Sequence, residues 1–590
     1  MPFDSFVLGA IAREIKEKII ETGARLNKVY QLNPTDLLLY FKTGSKAKTL
    51  FFSIDTQKAR IHFTEHHYNH PPTPPPFCML MRKHLSNGEL VSLEQPLLER
   101  AIYLNFAVFN EKGEKVIKTL AAEIMGRHSN LILLDSPDEN NKRKITGVLK
   151  PIPPFRNRVR TLLPNHIYLP PPAQEKLHPL ALDFEHFSQE MARLQNQPTA
   201  RALLRNLQGL SPFLAKEIAA RAESSNISSE AVKLLWQKLQ EILDVYTGEK
   251  WEPTLLYDEM KNPIDFSAVN PKQTIGDHRR TSASMSDILD EFYEYTEKKE
   301  EKQNLTALLF RQTKQALEKT QKKESAQLKE LDAAGKAEYY LHCGELILMN
   351  LKKIPLRSRK IELNNILSEQ SEKIKIALDP QLSPSSNAQR YFKKYRRARQ
   401  AEKKIAERLK QTRREIAYLD NVLFSLQKSD LQSLKEIKDE LEETGYLPVA
   451  KKSRHPKKGV SFNFLKFSSS EGEEIFVGRN NRQNEYLVQN FAAKSHLWLH
   501  VKEMPGAHVI VRSTCPHEST IKEAALLAAH FSRGARSSNV PVDYTTVKNV
   551  RRLPGGKPGM VTYNNYKTLY VTPDEKNMGY LLKQHHLETD

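Results

Sequence analysis

The side chains that could do chemistry in this sequence are few and loosely grouped. The densest set of metal-ligand types is His62, Glu65, His66, His67 and His70. His62/His66 and His66/His70 have the i,i+4 spacing of one helix face. However, Pro71, Pro72, Pro74, Pro75 and Pro76 follow at once, and no acidic or cysteine partner stands at metal-site spacing. The expectation is a surface loop with no metal. Arg551-Arg552-Leu553-Pro554-Gly555-Gly556-Lys557-Pro558-Gly559 has the glycines and lysine of a phosphate loop, yet Pro558 stands where a nucleotide-hydrolysing helix needs Ser or Thr. That segment is expected to be a basic loop near nucleic acid. The patterns GxSxG, HExxH and the dinucleotide fingerprint are missing, so neither an enzyme nor a cofactor is expected.

What the sequence does carry is charge. Its 590 residues hold 90 Lys+Arg against 70 Asp+Glu, a net +20, which makes nucleic acid the default partner and an anionic membrane surface the second choice. No stretch approaches the roughly 18 apolar residues of a membrane span. The start reads as an amphipathic helix with Leu8, Ile11, Ile15 and Ile19 on one face, not as a signal peptide. Cys78, Cys343 and Cys515 are too scattered for a disulfide framework, which points to a reducing, cytoplasmic setting. Between Arg390 and Glu415 lie twelve basic residues: Arg390, Lys393, Lys394, Arg396, Arg397, Arg399, Lys403, Lys404, Arg408, Lys410, Arg413 and Arg414. Only Glu402, Glu407 and Glu415 oppose them, leaving +9. Lys451, Lys452, Arg454, Lys457 and Lys458 read as a basic hinge.

The elements that must position these residues suggest a multidomain α+β chain. Residues 1–178 form a first α/β domain, with strands expected at Arg25–Leu32, Asp36–Phe41, Thr49–Asp55, Ala101–Phe109 and Leu131–Asp135, and a proline-rich linker at Phe155–Pro172. Residues 179–248 are helical. There Leu203-Leu204-Arg205-Asn206-Leu207-Gln208-Gly209-Leu210-Ser211-Pro212 has the helix, glycine turn and Ser-Pro start of a helix-hairpin-helix module, whose backbone N–H groups suit a phosphate. Residues 249–284 return to short extended runs that complete the first domain. Residues 285–445 form a long antiparallel intramolecular coiled coil with a middle segment. Its seam is Ala388, Tyr391, Tyr395, Ala398, Glu402, Ile405, Leu409, Thr412, Ile416, Leu419, Leu423 and Leu426. Residues 446–590 form a C-terminal α/β domain, with Thr520 and Glu523 as the capping box of a helix running to Arg533. A stiff arm with one basic stripe suits a large folded RNA, which is recognised mostly by shape.

Several stretches together resemble the NFACT family, whose bacterial branch is the RqcH or FbpA-type "fibronectin-binding" proteins and whose eukaryotic relative is NEMF. They are Phe77–Leu85, Gln95–Arg100, Glu123-Ile124-Met125-Gly126-Arg127-His128-Ser129-Asn130, and the run from Val477 to Pro573, including Trp498-Leu499-His500-Val501-Lys502 and Pro505-Gly506-Ala507-His508. The resemblance spans nearly the whole chain in the family's module order. It implies a glycosylase-like first domain and a ribosome quality-control factor. Such a factor binds the large ribosomal subunit, both rRNA and ribosomal proteins, when it is obstructed by a stalled peptidyl-tRNA. It recruits alanyl-tRNA, so that the peptide gains an mRNA-independent alanine tail that marks it for degradation. The ribosome makes the peptide bonds, so the factor is no enzyme; a monomer without membrane contact is expected. The family's Asp-Arg pair falls on Glu99-Arg100, an acid one methylene longer. The implied tRNA-binding residues are Glu99, Arg100, Glu123, Ile124, Met125, Gly126, Arg127, His128 and Ser129. The ribosome-binding residues are Arg390, Lys393, Lys394, Arg396, Arg397, Arg399, Lys403, Lys404, Arg408 and Lys410. Ser495-His496-Leu497 precedes Trp498 where the family has an acid, so that acid's role does not carry over. Two other functions are open. One is an adhesin for extracellular matrix, as the older family name suggests. The other is a DNA glycosylase-like protein using the Pro2 amine, although Phe3-Asp4 follows where such enzymes have Glu.

Overall fold

Runs rich in aromatic and branched residues recur through the first 150 positions, and they pair into one large antiparallel sheet. The computed structural model describes residues 3–44, 46–155, 159–228, 230–272, 278–364, 373–448, 462–574, 578, 579 and 581. Pro2 and the basic hinge at 451–458 lie outside the described residues. The chain divides into two units, Met1–Glu297 and Lys298–Asp590.

In the first unit, helix α1 (Ser5–Ile15) is capped by Asp4, whose carboxylate accepts from the N–H of Phe6 and Val7. Strands β1 (Arg25–Gln31), β2 (Asp36–Thr43), β3 (Lys46–Ser53), β4 (Arg60–Phe63), β5 (Glu89–Glu94), β6 (Ala101–Phe109), β7 (Lys115–Glu123), β8 (Asn130–Leu134) and β9 (Ile145–Val148) form a nine-stranded sheet in the order β4-β3-β2-β1-β5-β6-β7-β8-β9. Helix α2 (Pro76–Leu85) lies between β4 and β5 in the chain. Helices α3 (Phe184–Ala192), α4 (Thr199–Asn206), α5 (Pro212–Arg221) and α6 (Ala231–Thr247) follow, then a small sheet of β10 (Thr254–Tyr257), β11 (Pro263–Ser267) and β12 (His278–Thr281), and the start of α7 (Met285–Ala334). One continuous core joins them: Ile11, Leu39, Phe106, Leu203, Ile218, Leu239, Phe266 and Ile288 are all buried in it.

Two expectations change here. His62 is not in a loop. It is buried on β4 beside Asp290 (3.3 Å), and desolvation holds its pKa down at about 4. His66 reaches Asp290 and Glu294, and His70 stacks on Tyr30. Among the described residues no three His, Cys, Asp or Glu side chains converge as a metal would require. The segment read as a linker is also packed: Leu162 is buried and exchanges backbone hydrogen bonds with Ile152, and Arg160 enters the protein interior.

In the second unit, α7 and α9 (Pro384–Lys428) run antiparallel. Glu324 pairs with Arg413 (2.8 Å), and Glu301 pairs with Lys435 of α10 (Leu431–Glu443) at 2.9 Å. Every seam position from Ala388 to Leu426 is buried or half-buried. At one end, α8 (Ala337–Met349) and the hairpin β13 (Lys360–Asn364)–β14 (Lys373–Ala377) share a small core with Ala388 and Tyr391. The C-terminal part has six strands in the order β15 (Leu465–Ser468), β16 (Glu474–Val477), β18 (Val509–Val511), β17 (Leu497–Val501), β19 (Val540–Thr546) and β22 (Lys567–Val571). Helices α11 (Asn481–Tyr486) and α12 (Glu518–His530) flank them, and β20 (Val550–Arg552) pairs with β21 (Val561–Tyr563). The capping box does not form. Helix α12 starts at Glu518, so Thr520 and Glu523 lie inside it; Thr520 bonds the Ser469 hydroxyl, and Glu523 accepts from the Ser470 N–H. Among the described residues no helix is long and apolar enough to cross a membrane.

Candidate nucleic-acid interface

Strand pairing brings together two sequence motifs that are 24 positions apart. Ala101 at the start of β6 lies opposite Glu123 at the end of β7, and the Arg100 carbonyl accepts from the Ile124 N–H (2.8 Å). Glu99 and Arg100 therefore sit beside the turn that carries Met125. They line a cavity of about 370 Å³ whose other walls include Asp4, Ser5, Lys176 and the Gly209–Pro212 turn between α4 and α5.

The turn reaches the cavity because glycine permits it. Gly209 has φ +77°, and a Cβ there would lie 2.5 Å from the Cβ of Leu98. Leu98 itself has φ +60° and donates its N–H to the Tyr246 hydroxyl (3.1 Å). Ser5 donates to the Gly209 carbonyl (2.9 Å), tying α1 to the same turn. Glu99 is held by Gln208, just before that turn, whose amide donates to it at 2.5 Å, and Gln95 donates to the Glu99 carbonyl. Lys176 donates to the Leu204 carbonyl. Burial pushes the Asp4 pKa up, against the pull of the Ser211 hydroxyl, the Val7 and Phe6 N–H groups and the Arg100 charge. The Arg100 guanidinium, half-buried at the cavity wall, has no hydrogen-bond or ion-pair partner among the described residues. A fixed carboxylate beside a free guanidinium can accept from a base amino group while donating a fork to a phosphate or base edge.

The stretch from Glu123 to Ser129 splits into buried and exposed residues. Glu123 is fully buried and accepts from both terminal nitrogens of Arg160 and from the Tyr168 hydroxyl (2.9 Å). Its carboxylate is spent inside the fold and cannot face RNA. Ile124 and Gly126 are buried too, and the buried Ser129 hydroxyl accepts from the Met125 N–H (2.8 Å). Arg127 and His128 are exposed on the 3₁₀ turn, where Arg127 donates to His128 Nε2 (2.9 Å), while Met125 lines the cavity. Sequence reading named Gln208 only as part of the hairpin and gave Lys176 and Asp4 no role in this site, because each joins it only through tertiary packing.

On the second unit, all ten ribosome-binding candidates of α9 are exposed. Arg390 pairs with Asp379 (2.9 Å), and Lys394 sits over the Tyr391 and Tyr340 rings. Lys393, Arg396, Arg397, Arg399, Lys403, Lys404, Arg408 and Lys410 have no ion-pair partner among the described residues, so their charge is available to phosphates. The Gly-rich loop ending in Gly559 joins β20 to β21. Its Lys557 is already engaged, donating to the Thr444 carbonyl and lying over the Tyr446 ring. The polar run after Gly478 faces inward as well. Asn480 and Gln483 donate to Glu436, Asn481 donates to Glu440, and Arg479 and Arg482 pair with Asp430 and Glu443. These contacts seat the C-terminal sheet on α10. Glu440 is fully buried, and that burial raises its pKa to about 7.

Comparison with known proteins finds relatives that match nearly the whole chain. The Rqc2 homolog RqcH of Bacillus subtilis (strain 168) is 34% identical over 585 residues, covering 97% of this chain and 98% of that protein. The Rqc2 homolog RqcH of Streptococcus pneumoniae serotype 2 is 32% identical over 585 residues, covering 99% and 100%. Among solved structures, the C-terminal part of the fibronectin/fibrinogen-binding protein from Streptococcus suis is 32% identical, covering 48% of this chain and 98% of that one with a TM-score of 0.37. Residues 4–459 match the NFACT N-terminal and middle domains, and residues 463–565 match the NFACT protein RNA binding domain. The chain belongs to the NFACT family.

Proposed function

We propose that this protein is a cytoplasmic ribosome quality-control factor. It docks on the large ribosomal subunit obstructed by a peptidyl-tRNA, recruits alanyl-tRNA, and so directs mRNA-independent alanine tailing of the stalled peptide. The observation that carries the reading is the cavity wall itself, a guanidinium at Arg100 without a partner among the described residues, next to a carboxylate pinned by Gln208 at Glu99. Met125, Arg127 and His128 extend the tRNA surface, while Glu123, Ile124, Gly126 and Ser129 hold its shape. The α4–α5 hairpin is read as a helix-hairpin-helix and the first unit as glycosylase-like. The α9 stripe supplies phosphate contacts, which position a protein without reading sequence. Near full-length likeness to proteins named RqcH supports the same reading. Peptide-bond chemistry stays with the ribosome, so the factor needs positioned groups and no nucleophile.

The test is a tailing assay on stalled complexes with the Glu99→Ala/Arg100→Ala double variant. C-terminal alanine tails should vanish while co-sedimentation with large subunits at low salt persists. Unchanged tails would remove the pair from the mechanism, and failure of the parent protein to co-sediment would remove the function.

A further inference from the structure

The second unit contains a larger cavity, of about 930 Å³, where α7 and α9 meet the loop that follows α12. That volume lies in the range of small-molecule sites. Its walls carry the rings of Phe310 and Phe424, and its cations are Lys428, Arg533 and Arg536. Arg533 leans toward Asp420, with both terminal nitrogens 3.4 Å from the carboxylate oxygens, and Asp574 lies on the rim. Among the described residues Lys428 has no such partner. Its ammonium donates to the His530 carbonyl (3.1 Å) and lies 5.3 Å from the Phe424 ring centre and 5.9 Å from that of Phe531. The charge that most influences it is another cation, Arg536, which has no ion pair among the described residues. Burial and that repulsion together hold the Lys428 pKa below the usual lysine range. Two like charges lining one cavity are unfavourable in the empty protein and favourable around an anion. The adjoining phenyl faces suit a planar ring.

We propose that this cavity is a nucleotide-binding site, in which Lys428 and Arg536 clamp a phosphate and a base rests against Phe310 and Phe424. The ligand chemistry is a phosphate ester bearing a heteroaromatic ring, either as a free nucleotide or as one residue of an RNA chain. This site is separate from the α9 stripe and from the Glu99-Arg100 cavity, and it stands whether or not tailing occurs.

The test is calorimetric titration of the full chain with three probes: inorganic phosphate, the four nucleoside 5′-monophosphates, and a 5′-phosphorylated trinucleotide RNA too short to follow the stripe. Either nucleotide probe should saturate, and inorganic phosphate should bind at least 10-fold more weakly. Saturation by monophosphates identifies a free nucleotide; saturation by the trinucleotide alone identifies RNA. Lys428→Met and Arg536→Ala should each weaken binding about 10-fold or more, the loss of one charge-assisted contact. Lys428→Arg should retain it, separating charge from folding, and Arg396→Ala/Arg399→Ala should leave it unchanged. Equal binding of inorganic phosphate, no saturation by any probe, or indifference to Lys428→Met and Arg536→Ala would overturn the proposal.

Discussion

Replacing Glu123 by glutamine separates a structural role from an RNA contact, because the structure assigns this carboxylate entirely to the interior. The amide keeps the volume and removes the charge. Arg160 then keeps the amide oxygen and the Leu169 carbonyl (3.0 Å) as acceptors, but one of its two carboxylate contacts becomes an amide N–H₂ facing the guanidinium, donor against donor. Removing one partner of a buried ion pair costs about 3–5 kcal/mol, because the other charge stays desolvated. For a unit the size of Met1–Glu297, about 2 °C of Tm accompanies each kcal/mol, so its unfolding transition should fall by about 6–10 °C. The assay is differential scanning calorimetry of the full chain, paired with tRNA binding measured at least 20 °C below the new transition. Binding should be within about twofold of the parent. Glu123→Met combined with Arg160→Met should recover most of the lost stability, since an apolar pair of similar volume avoids the stranded charge. A Glu123→Gln protein that unfolds within about 1 kcal/mol of the parent, yet loses tRNA binding, would refute the assignment and return Glu123 to the contact surface.

Two further perturbations test the parts that position the sites. Gly209→Ala combines a left-handed backbone with a Cβ 2.5 Å from Leu98; about 2–4 kcal/mol of stability should be lost in urea unfolding, and tailing should fall because Glu99 loses its anchor at Gln208. Glu440 has a folded pKa raised to about 7, above the value near 4.5 of a free glutamate, so its contribution is fully present below pH 4.5 and is lost as pH rises to 7. In urea titrations Glu440→Gln should remove a pH-dependent component of about 3 kcal/mol across that window and leave the second unit more stable than the parent at pH 8; an unchanged pH profile would place the raised pKa elsewhere.

How much of this was legible in the sequence depended on how local the controlling interactions are. The α9 seam could be read position by position, since a heptad declares itself within one helix, and the unpaired cations beside it follow from composition alone. Strands β6 and β8 were legible as nearly continuous apolar runs. Strand β4 was not, because Arg60 and His62 look like loop residues until Glu297 and Asp290 arrive from α7 to satisfy them. The capping box failed for a related reason: Thr520 and Glu523 find partners at Ser469 and Ser470, some 50 residues upstream, and the helix starts earlier. The Glu99-Arg100 site was visible only as a pair of residues. What completes it, Gln208 across 109 positions and a glycine turn pressed on Leu98, has no local signature.

The two surfaces of the proposed function also differ in kind. Eight stripe cations without ion-pair partners among the described residues would act through counterion release, so their contribution to affinity would fall steeply with salt and say little about which RNA is bound. At the cavity, by contrast, one carboxylate is fixed by an amide and one guanidinium is left open, so discrimination depends on geometry that salt barely touches. The polar run Arg479–Gln483 belongs to neither class. It lies in the RNA-binding-type domain and is rich in groups that read nucleic acid, yet the structure spends them on Asp430, Glu436, Glu440 and Glu443 of the arm's base. These residues fix how the C-terminal sheet sits on the arm.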